Sequence, residues 1–192
     1  MRIGSFDVNA PGNPVRQLWD RLARLPGGRT LFSRAVGMMA PYTGTIRAKV
    51  VHLEPGRAEV RMADRRAVRN HLSCVHAVAL ANLAELTGNV ALAYSLPDDA
   101  RFIVAGMDLD YVKKARGEIV GRCECPVPDS SERREYRVPV TLHDPSGEVV
   151  VRATLRTLVG PKVSAERLGI RRERVCGCVI AEGLDKRRGV RN

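Results

Sequence analysis

Aromatic side chains are scarce in this chain: one Trp, three Phe and four Tyr make up 4% of its 192 residues. A groove that stacks single-stranded bases needs such rings along a basic surface, so their shortage argues against nucleic acid as a partner. Long apolar runs are missing too. No stretch of about 18 apolar residues escapes polar interruption, so neither a membrane-spanning helix nor a membrane partner is expected. The opening MRIGSFDVNAPGNP lacks the apolar core of a secretion signal, which predicts a cytoplasmic location. Five cysteines (Cys74, Cys123, Cys125, Cys176 and Cys178) are an odd number in a chain long enough to need no disulfide staples, so reduced thiols are expected. There is no phosphate-binding glycine loop, no dinucleotide fingerprint and no helix-turn-helix signature.

What remains has the make-up of an ordinary globular domain, with 44% hydrophobic and 28% charged residues. The net charge is +11, and residues 161–192 hold 9 Lys/Arg against 4 Asp/Glu, so nearly half of the excess sits in a sixth of the chain. A basic surface attracts any polyanion, including the phosphates of coenzyme A, and charge alone does not choose among them.

Three regions follow from the pattern: a helical segment at 1–40, a folded domain at 41–160 and a basic tail at 161–192. Asn13 before Pro14 is a helix start, with Val15, Leu18, Trp19, Leu22 and Leu25 at helical spacing and Pro26-Gly27-Gly28 as the stop. A second short helix is expected after Thr30. These helices either lid a pocket or cover a sheet edge.

From Thr43 the period becomes two. Residues 43–53 and 57–63, joined by Glu54-Pro55-Gly56, read as a β-hairpin. Residues 74–94 are apolar nearly all round, which marks a helix about 30 Å long that is buried on most sides. Further strands are expected at 101–114 (Ile103, Ala105, Met107, Leu109 and Tyr111 on one face), 118–126, 134–143 and 148–159. Asp144-Pro145-Ser146-Gly147 is a turn, and Pro139 should mark an edge or a bulge. Hairpin, long helix and four more antiparallel strands make an α+β domain: an antiparallel sheet wrapped around one central helix.

On that helix Glu85 is the residue to explain, because an unpartnered buried carboxylate is too costly to keep by accident. Asn82 and Asn89, at −3 and +4 from it, complete a polar stripe that either lines an interface or cleft or belongs to a catalytic site.

The segment Asn70-His71-Leu72-Ser73-Cys74-Val75-His76-Ala77-Val78, with Glu85 nine residues after His76, resembles the hot-dog thioesterases of the phenylacetyl-CoA and hydroxybenzoyl-CoA type. Those carry an Asn, a His-Gly-Gly six residues on, and an Asp or Glu nine residues after that His. The run His76-Ala77-Val78-Ala79-Leu80-Ala81-Asn82-Leu83-Ala84-Glu85 looks closest to an uncharacterised branch of that superfamily. The resemblance covers roughly residues 40–160. It implies a hot-dog fold, here preceded by the N-terminal helices read above, and hydrolysis of an acyl-CoA or acyl-carrier thioester without metal or cofactor.

Glu85 would be the nucleophile or general base, the backbone N–H of Ala77 would polarise the thioester carbonyl, and Asn70 and His76 would orient thioester or water. Asn82, Asn89 and Val78 would contact substrate. The sequence departs from the pattern where Ala77 and Val78 replace Gly-Gly and where Ser73 stands at a common glycine position. A ligand-binding or scaffold version without turnover is the alternative.

Nine residues at 100° each leave about 180°, with a rise of about 13 Å, so His76 and Glu85 should point to opposite sides of the helix. A shared site then needs two subunits, as a homodimer or a dimer of dimers. Lys113 and Lys114, with Arg116, either receive coenzyme A phosphates or form a solvated charge run. Cys123 and Cys125 share a strand face and lack the ligands of a zinc site; Cys176 and Cys178 lie in the tail. His52 and His143 fall near strand ends with no partner in view.

Overall fold

The computed structural model describes residues 11–163. Asn13 caps α1 (Pro14–Leu22) as its spacing predicts, its Oδ1 accepting from the Arg16 N–H at 3.0 Å. The same buried side chain donates through Nδ2 to the carbonyls of Ala93 at 2.7 Å and Leu96 at 3.0 Å, tying α1 to the far end of the central helix. α2 (Gly28–Met39) starts before the expected Thr30 and buries Phe32 edge-on against Trp19, ring centroids 5.0 Å apart.

The strand expected from Thr43 begins only at Lys49. Pro41 instead opens a helical turn, α3 (Pro41–Gly44), packed so tightly on α2 that a Cβ on Gly44 would lie 2.6 Å from the Gly37 carbonyl oxygen.

The hairpin follows as β1 (Lys49–Glu54) and β2 (Arg57–Met62), with Ala58, Val60 and Met62 buried as their alternation predicts. The central helix, α4 (Ala77–Ser95), starts three residues later than its apolar run. β3 (Ala100–Tyr111), β4 (Ile119–Glu124), β5 (Arg134–His143) and β6 (Val149–Pro161) complete one antiparallel sheet in the order β1-β2-β4-β5-β6-β3.

α4 lies against every strand. It comes so close that a Cβ on Gly88 would sit 3.0 to 3.2 Å from side-chain atoms of Leu155, Val138 and Val140. Leu83 and Leu92 of the helix and Met62, Ile119, Val138, Leu142 and Leu155 of the sheet are fully buried, each contributing about 1.5–3 kcal/mol. This wrapped-helix architecture is the hot-dog fold. Among the described residues no helix is long and apolar enough to cross a membrane.

Two strand details differ from simple alternation. A bulge between Val104 and Gly106 shifts β3 by one residue, so Phe102, Val104, Met107 and Leu109 pack on the core while Ile103 is 53% exposed and Tyr111 50%. Pro139 sits in an inner strand, one residue beyond the last β4–β5 pair at Val140, where β5 has no paired neighbour on that side among the described residues.

Candidate active site at the start of the central helix

The chain reaches α4 through a loop that its own side chains stitch together. A single 3-10 turn, Arg66–Val68, presents the Val68 carbonyl to the His76 N–H at 2.8 Å, and the Val75 N–H donates to the Ala115 carbonyl at 2.9 Å. These bonds hold Val75 and His76 extended, which is why the helix does not begin at Cys74. Asn70 Oδ1 accepts from the N–H groups of Leu72 at 2.9 Å and Cys74 at 3.2 Å, so Asn70 is a loop-former here. Ser73 adopts φ 54°, the left-handed region, which explains why the related pattern favours glycine at that place. Asp64 closes the base of the loop, accepting from Arg69 Nε at 2.6 Å and from the Gly117 N–H at 2.9 Å. The Arg69 hydrogen bond, aided by the Gly117 N–H, holds its carboxyl below the ordinary aspartate value.

His76 is the N-cap of α4, its Nδ1 accepting from the Val78 N–H at 3.1 Å. The neutral ring therefore carries its proton on Nε2. As the cap, His76 lies outside the helix, so the expected half-turn between it and Glu85 does not apply; the axial separation does. Ala77 is the first helical residue, exposed, and its N–H has no intrahelical acceptor at that position. Its carbonyl accepts from the Tyr111 hydroxyl at 3.1 Å.

A cavity of about 190 Å³ opens beside this helix start, bordered by Tyr42, Ile46, Arg69, His76, Val78 and Asn82 among others. Val78, half-exposed, stands on its rim. Asn82 is buried and donates through Nδ2 to the Tyr42 carbonyl at 3.2 Å. That carbonyl can only accept, which fixes the amide orientation and leaves Oδ1 buried without a donor.

Along α4, Ala77, Ala81, Glu85 and Asn89 recur every fourth residue and are the positions the sheet leaves partly uncovered, with Val78 and Tyr94. Glu85 is half-buried on this open line, and among the described residues it makes no hydrogen bond or ion pair. Asn89 Oδ1 is likewise buried and unpartnered. Thus the polar stripe divides: Asn82 faces the cavity, while Glu85 and Asn89 lie on the open line and Glu85 does not border the cavity.

Lys113 is engaged elsewhere. It pairs with Asp144 at 2.8 Å and with Glu148, so the Asp144 turn holds it, and the Lys113 bond drives the Asp144 carboxyl well down. Lys114 is exposed and makes no ion pair among the described residues. On β4 the Cys123 thiol is pushed up by its hydrogen bond with Cys125 and by burial, and the same bond brings Cys125 down. Cys74, Cys123 and Cys125 are free thiols; Cys176 and Cys178 lie outside the described residues. Both His52 and His143 have partners: His52 Nε2 lies 3.5 Å from Glu54 Oε1, and His143 bonds Gly147 O at 3.1 Å and Thr141 Oγ1 at 2.9 Å. Among the described residues no group of three or more His, Cys, Asp or Glu side chains converges as a metal-ligand set.

Tyr42 and Tyr111 are the site residues that sequence reasoning missed. They reach Asn82 and Ala77 from 40 and 34 residues away, and no local pattern marks such contacts.

The fold is shared with thioesterases of known structure. A protein solved in a structural-genomics programme is 32% identical, over 77% of this chain and 98% of that one, with a TM-score of 0.67. A Pseudomonas aeruginosa protein of unknown function, described as a probable thioesterase, is 24% identical over 71% and 97% of the two chains, with a TM-score of 0.60. A thioesterase family protein from Silicibacter pomeroyi is 18% identical over 67% and 96%, with a TM-score of 0.58. No curated protein matches the chain. The family model for a domain of unknown function, DUF4442, matches residues 28–159, and the chain belongs to that family.

Proposed function

We propose that this protein hydrolyses acyl-CoA-type thioesters at a homodimer interface, with Glu85 as nucleophile or general base. The observation that carries the reading is a half-buried carboxylate on the line of the helix that the sheet leaves partly uncovered, with no hydrogen bond or ion pair among the described residues. The Ala77 N–H, at the positive end of a 19-residue helix, is the donor for the thioester oxygen. Eight residues separate Ala77 from Glu85, about 12 Å along the axis, too far for one chain to bring both to a single carbonyl carbon. A second copy supplies the missing half. β3 supports that pairing: it is a 12-residue edge strand, unpaired on its outer side among the described residues, and it exposes Ile103 and Tyr111.

In the reaction the carboxylate either takes the proton from a water that attacks the thioester carbon, or attacks that carbon itself to form a mixed anhydride that water then cleaves to the free acid. In both routes the carbonyl oxygen gains charge against the Ala77 N–H and the C–S bond breaks; the thiolate takes its proton from the protonated base in the first route and from water in the second. His76 contributes its Nε2 proton toward the cavity, while its Nδ1 keeps the helix start in place.

A version that binds acyl thioesters without turnover is the second reading, favoured by Val78 on the cavity rim in place of a glycine. Free-thiol release from a panel of acyl-CoA thioesters separates the two. Glu85→Gln should lower the rate about 100-fold or more with the fold unchanged. Equal rates for the variant and the parent would remove Glu85 from the mechanism, and tight binding with no release by the parent would establish the second reading.

A further inference from the structure

The N-terminal helices carry a feature that hydrolysis does not use. Five of the eleven large apolar side chains exposed among the described residues fall between Leu25 and Tyr42: Leu25, Leu31, Met38, Met39 and Tyr42. On α2, Leu31 and Met38 are seven residues apart and so lie on one ridge, and the exposed Tyr42 follows in α3. The opposite face of α2 is anchored: Phe32 is fully buried, and the Ser33 hydroxyl accepts from the Val50 N–H at 2.9 Å. The ridge is therefore held outward on a fixed helix, and α2 has no spare buried face to turn it into.

Charge follows the same segment. Residues 11–53 hold seven Lys/Arg and a single acid, Asp20, and the Tyr94 hydroxyl donates to Asp20. Arg24, Arg29, Arg34 and Arg47 are exposed and make no ion pair among the described residues. Arg34, three residues from Leu31 and four from Met38, flanks the ridge. An apolar ridge on a segment with four arginines free of ion pairs among the described residues, and almost no carboxylates, is complementary to a surface that is apolar below and anionic above.

We propose that the outer face of α2 and α3 docks on an anionic lipid surface, with Leu31, Met38, Met39 and Tyr42 in the acyl boundary and the arginines at the headgroups. Tyr42, four residues beyond Met38, also borders the cavity at the start of α4. Docking thus sets the mouth of that cavity at the membrane, where long acyl chains partition. The absence of a spanning helix does not bear on such a surface site. Lipid binding here stands whether or not Glu85 catalyses.

The test is co-sedimentation of the full chain with vesicles of phosphatidylcholine alone and with about 30% phosphatidylglycerol, at low and near-physiological salt. The parent should bind the anionic vesicles and not the neutral ones. The double variant Leu31→Ser/Met38→Ser should lose at least about tenfold in binding, and Arg29→Glu/Arg34→Glu about 25-fold or more, since each basic side chain near the surface is worth about fivefold. All four positions are exposed, so melting temperature should hold, and the basic tail is unchanged in every variant.

Four results overturn the proposal. One is no binding to anionic vesicles at low salt; another is equal binding by parent and variants, which would assign the attraction to the tail. The third is a drop in mass on light scattering for Leu31→Ser/Met38→Ser, which would make the ridge a contact between copies. Binding of an acidic carrier protein through the same residues, with vesicles ignored, would also overturn it.

Discussion

Ala77→Pro removes one hydrogen-bond donor and almost nothing else. Proline lacks the N–H but suits the first position of a helix, where that group has no intrahelical acceptor. The preceding residue must be extended, and His76 already is, with φ −66° and ψ 139°. Ala77 is exposed, so the ring has room, and its carbonyl remains available to Tyr111. Stability should hold or rise by about 0.4–1 kcal/mol from the stiffer unfolded chain. For a protein of this size that is an increase in Tm of about 1–4 °C. If the Ala77 N–H polarises the thioester oxygen, kcat should fall about 100- to 1000-fold, the usual effect of deleting one oxyanion donor. Thermal melting paired with thiol release decides it. A variant that melts with the parent and keeps more than about a third of its kcat would refute the assignment.

Ser73→Gly relieves the left-handed backbone at φ 54° and should raise Tm by about 2–4 °C, against the usual entropic penalty of glycine; a fall would mean that the Ser73 side chain has a role of its own. Asn82→Leu exchanges one 3.2 Å hydrogen bond for removal of an orphaned buried acceptor. Its Tm should stay level or rise by a few degrees, while kcat/KM falls if Oδ1 serves a substrate donor, and a clear loss of stability would make Asn82 structural. For Asp64, a carboxyl held below its ordinary value adds stability that is complete above the unfolded value of about 3.9 and is lost as pH falls through the folded one. Asp64→Asn should therefore lower Tm by about 2–6 °C at pH 7, with the deficit shrinking below about pH 4; a deficit constant with pH would contradict the linkage.

Much of this molecule is legible in its sequence because the strongest signals are local. Asn13 before Pro14, the alternation of β2 and β5 and the apolar run of α4 each specify an element without help from distant residues. Where expectation and structure part, distant residues decide. The start of α4 moved from Cys74 to Ala77 because Ala115 and Val68 claim the backbone of Val75 and His76. One inserted residue near Ala105 reverses the face of β3 beyond it, and strict alternation does not reveal a bulge.

The site follows the same rule. Glu85, His76 and Asn82 stood out as polar residues on an apolar helix. The sheet's failure to cover one line of α4, the role of His76 as a cap and the capture of Lys113 by Asp144 all depend on tertiary packing. Ser73 is the intermediate case: a serine at a glycine position is visible in sequence, but its cause appears only in the φ angle.

Mixed dimers of Glu85→Gln and Ala77→Pro chains test the two-subunit site most directly. If Glu85 of one chain works with Ala77 of the other, each mixed dimer rebuilds one intact site and concentrates both defects in its second. Two inactive preparations refolded together in equal amounts should then recover about a quarter of parental thioesterase activity. Recovery of none, with mixed dimers confirmed by mass, would place both groups in the same chain.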